Sequence, residues 1–264
     1  MPVTSLHNPQ VKYLSCLARR RFREREGKFI IEGNLMVREA LLYKWPLEQL
    51  IYIPSWEKSS QGQTILALAS AAGIQLLEVS EAVFCKLAGT KTPQGVLAVG
   101  RYQETPLTQL FDRSPSLLLL VDGVQDPGNL GTIVRSADAA GAQGVILLKG
   151  TVDLYNPKTL RATMGSLFHL PAIEVSQAGD VLRFASATGL QLVAGAPAAV
   201  ETLSSCDLTL PTILAVGNES SGCSDEILRQ ANHVVSISMP GHAESLNAAV
   251  AASIMLYEAV RQRL

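Results

Sequence analysis

Residues 117–121 read Leu-Leu-Leu-Leu-Val and run directly into Asp122-Gly123. So short and continuously apolar a run is too short for a membrane span and too greasy for a surface. It predicts a strand buried on both faces, as in the middle of a parallel sheet. Parallel neighbours need crossover connections of a dozen or more residues, usually helical, so strands and helices should alternate from here on. Residues 130–140 place Leu130, Ile133, Val134 and Ala137 on one helical stripe, 145–148 form the next strand, and 157–164 a helix. Strands at 172–175 and 192–194 flank a helix near 181–187, and 213–216 is a further buried strand. Ser224 reads as the N-cap of a helix opening with Asp225 and Glu226, where the helix dipole favours acids. A last strand over 234–238 and a long closing helix over 245–263 complete a mostly parallel α/β domain.

The first part of the chain repeats the rhythm on shorter elements. Strands are expected at 29–31, 48–53, 74–79 and 95–102, with helices at 34–43, 64–72 and 81–87, giving a small α/β sandwich. Between Gln103 and Ser116 the apolar pattern lapses around two prolines. The expected organisation is a first domain over 1–104, a linker over 105–116 and a second domain over 117–264. Charge divides the same way. Through Thr105 the chain carries 13 Lys/Arg against 9 Asp/Glu, and beyond it 9 against 14. That asymmetry assigns polyanion contact to the first part.

Several function classes lose their support. No apolar run reaches the roughly 20 residues of a membrane span, and the polar, soon basic N-terminus carries no signal-peptide stretch. Cys16, Cys85, Cys206 and Cys223 lie far apart without a CxxC pair, so they are expected as reduced thiols of a cytoplasmic protein, with no metal. No GxGxxG follows the first strand and no GxxxxGK[ST] occurs, which removes the usual support for a dinucleotide or P-loop site. His7, His169, His233 and His242 show no triad pattern; only His242 has a place near the polar patches.

Three such patches end apolar runs in the second half: Asp126-Pro127-Gly128-Asn129 with Arg135, Gly217-Asn218-Glu219-Ser220-Ser221-Gly222, and Pro240 to Asn247. Polar residues at strand ends mark the ligand rim of an open α/β sheet. Each patch also has a plainer reading. Asn129 is a good N-cap for the helix behind Pro127-Gly128, Arg135 can pair with Asp138 at i+3, Gly217-Asn218 makes a turn, and Ser245 can cap the last helix. The dense basic run, Arg19, Arg20, Arg21, Arg23, Arg25 and Lys28 with Lys12 upstream, is either a solvated helix or a phosphate contact.

Taken together, these residues are distinctive. Val121 to Arg135 resembles the first signature of the SPOUT superfamily in its TrmH-like (SpoU) ribose 2′-O-methyltransferase branch. Ala215 to Gly222 resembles the second signature, and Ile237 to Ala252 the third. Asn156-Pro157-Lys158 and Arg161 to Ser166 resemble the family's intervening segment. Ser5, Asn8-Pro9, the arginine run, Phe29, Glu32-Gly33 and Thr92 to Gly95 resemble the RNA substrate-binding domain that many members carry. Ser238 stands where the family often has proline, and Ala248-Ala249 where it often has Val-Ser.

The resemblance implies a C-terminal α/β domain tied in a deep trefoil knot, an S-adenosyl-L-methionine pocket and a homodimer whose site draws on both subunits. By that analogy Arg135 is the main catalytic residue, with Asn129, Glu219, Ser245 and Asn247 holding Arg135 and the ribose. Gly217, Ile237 and Leu246 line the cofactor, and Lys12, Arg19, Arg20, Arg21, Arg23, Arg25 and Lys28 contact RNA. The implied reaction is methyl transfer to a ribose 2′-hydroxyl, of ribosomal RNA in preference to transfer RNA. An RNA-binding assembly factor that has lost catalysis is the alternative of a different class.

Overall fold

The computed structural model describes residues 2–112 and 114–264. The chain divides into two compact units, one holding the residues up to Gln103 together with Tyr155–Phe168, the other Glu104–Leu154 with His169–Leu264.

In the first unit, β1 (Lys28–Glu32), β2 (Leu47–Tyr52), β3 (Gln75–Glu78) and β4 (Val96–Arg101) form a sheet in the order β1-β4-β2-β3. β4 is antiparallel to both its neighbours, and β2 and β3 run parallel. One face buries Ile51, Leu97 and Val99 against Val11, Leu14 and Leu17 of the N-terminal segment and Val83 and Phe84 of the helix Glu81–Leu87. The sequence reading placed no helix at Pro9–Cys16; Asn8 caps it by accepting from the Gln10 N–H at 2.8 Å, with proline in the first turn.

The segment Tyr155–Phe168, expected within the second domain, packs in this first unit, and aromatic faces are the reason. Tyr155 stacks on Tyr102 at 3.9 Å between ring centres and leans on Phe29 at 4.6 Å. Phe168 meets the edge of Trp45 at 5.2 Å. Aromatic pairs of this kind contribute about 0.5–1.5 kcal/mol each beyond the area they bury.

The second unit holds, among the described residues, a seven-stranded sheet. Its strands are β5 (Leu117–Asp122), β6 (Val145–Leu148), β7 (Ala172–Val175), β8 (Gln191–Gly195), β9 (Glu201–Thr202), β10 (Thr212–Gly217) and β11 (His233–Ser236). The order is β7-β6-β5-β10-β8-β11-β9, and every pairing is parallel. β5 and β10 are therefore central, and their apolar runs are buried throughout, as the sequence predicts. Part of the expected linker is folded into this unit: Leu107–Phe111 is a short helix whose Leu110 and Phe111 are buried in the core, Phe111 stacking on Phe184 at 5.2 Å. Arg113 of that stretch lies outside the described residues. The last strand ends at Ser236 and the closing helix begins at Ala248, both inside the expected bounds.

Candidate active site

Parallel pairing of the two central strands sets Gly217 level with Asp122. Both chains leave the sheet at the same edge, so the first two polar patches meet by construction. Their backbones are then sewn together. The Asn218 Nδ2 donates to the Gly123 carbonyl at 2.8 Å, and the Ser224 N–H donates to Asp122 Oδ2 at 2.7 Å. Asn218 Oδ1 accepts from the Ser220 N–H at 2.9 Å and the Ser221 N–H at 3.1 Å, closing the loop over itself.

Asn129 does not cap its helix. Asp126 does, accepting from the Asn129 N–H at 2.9 Å ahead of Pro127 in the first turn of Pro127–Ala139. An acid just before proline at a helix start is the signal that could have assigned this. The Asn129 side chain is thereby released for another partner. Its Nδ2 donates to Glu219 Oε1 at 2.8 Å, while Asn247 Nδ2 donates to its Oδ1 at 2.9 Å. Asn247, and not Ser245, caps the closing helix Ala248–Arg263, its Oδ1 accepting from the Ala249 N–H at 2.9 Å and the Val250 N–H at 3.3 Å. One relay thus links the three patches: Glu219 to Asn129 to Asn247 to a helix N-terminus.

Glu219 also accepts from the Gln125 N–H and the Asp126 N–H, each at 3.1 Å. Partial burial pushes its carboxyl up, but the hydrogen bonds from Asn129 and from backbone N–H groups outweigh this and hold it below the usual glutamate range. It is a fixed carboxylate acceptor.

Arg135 stands apart. It is exposed and makes no ion pair or hydrogen bond among the described residues. The surface pairing with Asp138 does not form, because Asp138 Oδ2 meets His169 Nδ1 at 3.2 Å. Six residues of α-helix place Arg135 about 9 Å along from Asn129 and about 120° around. Ser245 is exposed and makes no hydrogen bond among the described residues; it lies on the rim of the cavity described next.

A cavity of about 310 Å³ opens between the end of β10, the loop after β11 and the closing helix. Gly217, Ile237 and Leu246 line it, as do Glu219 and Ser245. Sequence reasoning missed Gly195 and Met255, also in its wall; a glycine ending the apolar β8 run was the available signal. Gly217 admits no side chain, since a Cβ there would lie 2.0 Å from the Cys223 nitrogen and from the Gly222 carbonyl carbon. Burial, with the Asp122 charge adding to it, pushes the Cys223 thiol up to about 12, so this part of the wall is neutral. The result is an apolar pocket with a carboxylate at its mouth and a glycine-formed backbone edge. Such a pocket suits a ligand with an apolar or planar body and polar ends.

The basic run in the first unit resolves into two groups. Arg23 is a correction to the expected RNA contacts: it is buried at 2 % exposure, with Nη1 donating to the Leu17 carbonyl at 3.0 Å and the Ala18 carbonyl at 2.9 Å. These carbonyls follow the end of Pro9–Cys16 and would otherwise lack intrahelical partners. Arg20 pairs with Glu24 at 2.7 Å, Arg25 with Glu26 at 2.9 Å, and Lys28 with Glu48 at 2.7 Å. Lys12, Arg19 and Arg21 are exposed and without ion pairs among the described residues.

Residues 116–257 match the SpoU rRNA Methylase family and residues 8–98 the MRM3-like substrate binding domain. The chain is 35% identical to a 23S rRNA (uridine(2479)-2′-O)-methyltransferase of Streptomyces viridochromogenes, over 99% of this chain and 92% of that one. It is 34% identical to the 23S rRNA (guanosine(2553)-2′-O)-methyltransferase RlmP of Bacillus subtilis, over 97% of each. The crystal structure of an AdoMet-bound rRNA methyltransferase from Sinorhizobium meliloti superimposes with a TM-score of 0.90 at 37% identity, covering 100% of this chain and 98% of that one.

Proposed function

The chain belongs to the SpoU rRNA methylase family, and from that premise we propose that it methylates ribosomal RNA at a ribose 2′-hydroxyl beside the Glu219–Asn129–Asn247 relay. It is an S-adenosylmethionine-dependent RNA 2′-O-methyltransferase of α/β architecture. The relay carries the assignment of the site: three side chains from distant parts of the chain are hydrogen-bonded to one another, and one of them, Glu219, lines the cavity.

The cavity fits the cofactor. Its apolar wall and its backbone edge at Gly217, where no Cβ fits, suit an adenosine body, and Glu219 at the mouth suits a cationic group. When bound, S-adenosylmethionine supplies an electrophilic methyl group. What the chain supplies is alignment and charge. Asn129 and Asn247 have fixed orientations, because each amide is bonded at both ends; an oriented site can contribute about 7–11 kcal/mol to a transfer between two aligned reactants. Glu219 remains an acceptor and repels phosphate, which directs the RNA backbone away from the cavity. Arg135, which has no hydrogen bond or ion pair among the described residues, clamps the phosphate next to the reacting ribose and stabilises the oxygen as it loses its proton. A guanidinium does not itself abstract a proton, so the proton passes to phosphate or solvent.

A second copy of the chain belongs to this reading. Arg135 lies nearly two turns along its helix from Asn129, and a homodimer would let Arg135 of one subunit serve the relay of the other. An apolar stripe supports it: Val250 and Tyr257 of the closing helix are 47% and 68% exposed, with Ile254 between them. We place a trefoil knot in the same region, where the closing helix packs against both Pro127–Ala139 and β10. Lys12, Arg19 and Arg21 are the RNA contacts of the first unit.

The deciding experiment maps 2′-O-methyl groups on total RNA from cells with and without the gene. One ribosomal position should lose its methyl group and regain it when the purified chain and cofactor act on the unmodified RNA. Loss confined to transfer RNA would overturn the substrate, and no change anywhere would overturn the activity.

A further inference from the structure

Away from the cavity, at the β9 edge of the second sheet, three metal-ligating side chains converge. A carboxylate oxygen of Glu201, the sulfur of Cys206 and an imidazole nitrogen of His233 all lie within 4.8 Å of one another. None of the three lines the cavity, and none belongs to the relay.

The backbone fixes this grouping. β9 and β11 pair in parallel, which brings Glu201 beside the β11 strand that His233 begins. A tight turn over Leu203–Ser205 then folds the chain back, the Cys206 N–H donating to the Leu203 carbonyl at 3.3 Å. The Cys206 carbonyl accepts from Gln262 Nε2 of the closing helix at 3.1 Å, so the cysteine is held on both sides. His233 Nδ1 lies 3.0 Å from Glu201 Oε1 and 3.1 Å from Oε2. Two donors on one tetrahedral ion, each bonded at about 2.0 Å, are separated by about 3.3 Å, close to what is seen. Cys206 is buried at 2 % exposure, while Glu201 and His233 have side-chain exposures of 35% and 38%. An ion would have a thiol beneath it and an open side toward solvent.

We propose that Glu201, Cys206 and His233 form a binding site for a single divalent transition-metal ion of the zinc class, with a water completing the coordination. Sulfur, imidazole and carboxylate together select such ions and disfavour calcium and magnesium, which take oxygen ligands. Cys206 binds as the thiolate, its proton passing to solvent as the metal–sulfur bond forms. The site takes no part in methyl transfer. It ties the two-residue edge strand β9 to β11, and through Gln262 to the end of the closing helix.

The test titrates the metal-stripped full-length protein with Co²⁺ as a spectroscopic probe for zinc. The expected result is one equivalent bound with a thiolate-to-cobalt charge-transfer band, displaced by Zn²⁺. Cys206→Ser should remove the band, and His233→Ala should weaken binding by about tenfold or more. His233 is partly exposed, so His233→Ala keeps the fold and reads the site even if the buried cysteine variant does not. Methyl transfer should persist in His233→Ala. Absence of the band, a band that survives Cys206→Ser, or unchanged Co²⁺ affinity in His233→Ala would each overturn the proposal. His233 and Glu201 would then be a hydrogen-bonded pair beside an uninvolved thiol.

Discussion

Asn247 donates through Nδ2 to Asn129 Oδ1 at 2.9 Å, joining the first turn of one helix to the cap of another. Because Asn129 in turn donates to Glu219, orientation at any one of the three is set by the other two. Asn129→Asp places a carboxylate oxygen against Glu219. Steady-state kinetics should show kcat down by about 10² or more, the size of effect seen when one oriented donor is lost from a reacting site, with cofactor affinity within a few-fold of the parent. Asn247→Ala should cost about 0.5–2 kcal/mol of stability through the lost cap, read by denaturant unfolding, and lower kcat as well.

Arg135→Ala should reduce transfer by about 10²–10³ or more while isothermal titration with S-adenosylmethionine stays unchanged. Arg135→Lys retains charge but not the planar fork, and should recover only part of the rate. Near-parental turnover in the alanine variant would remove Arg135 from the reaction.

The acid limb of activity carries a sign. The Glu219 pKa is lowered in the folded protein, so the stability it contributes is present above the unfolded glutamate value and is lost as pH falls through the lower folded value. Between about pH 5 and 8 its state is constant, and Glu219→Gln should leave the shape of the pH–rate profile there unaltered while lowering its height. An inflection above pH 5 that disappears in Glu219→Gln would contradict this.

Arg23 and Arg21 separate folding from binding. Arg23→Ala leaves the Leu17 and Ala18 carbonyls without their donor and should destabilise by about 1–3 kcal/mol, with little change in the salt dependence of RNA binding by the folded protein. Arg21→Ala should do the reverse, leaving stability unchanged and flattening the logarithmic salt slope by about 0.7 on single-stranded RNA.

Tyr257→Glu sets a charge in the exposed stripe of the closing helix. If the proposed dimer forms through this stripe, light scattering should report a dimer for the parent and a monomer for the variant, and transfer should fall with it. A dimer that persists at full activity would show that this stripe is not the interface.

The apolar runs made the sheet legible: Leu117 to Val121 and Ile213 to Val216 have little else they can be but central strands, and the polar residues behind them had to share an edge once the strands paired in parallel. Caps were harder to read. Asn129, Ser245 and Asn247 are all competent caps, and only the conformation of the loops decides which one is used. Arg23 was illegible for a related reason, because a run of arginines gives no sign of which member turns inward to meet a helix end. The Glu201–Cys206–His233 grouping was hidden by separation along the chain, since β9 is two residues long and leaves almost no periodic trace.

The aromatic stack of Tyr155 on Tyr102 and Phe29 governs how this protein can be cut. A unit assembled from two stretches of chain cannot be removed by a single truncation. A fragment beginning at Glu104 would keep Tyr155 and Phe168 but lose the rings they pack against, leaving a sticky surface that the intact chain never shows. Dissection should therefore replace Tyr155 and Phe168 with polar residues in the same step, or the isolated fragment will report on its own aggregation instead of on catalysis.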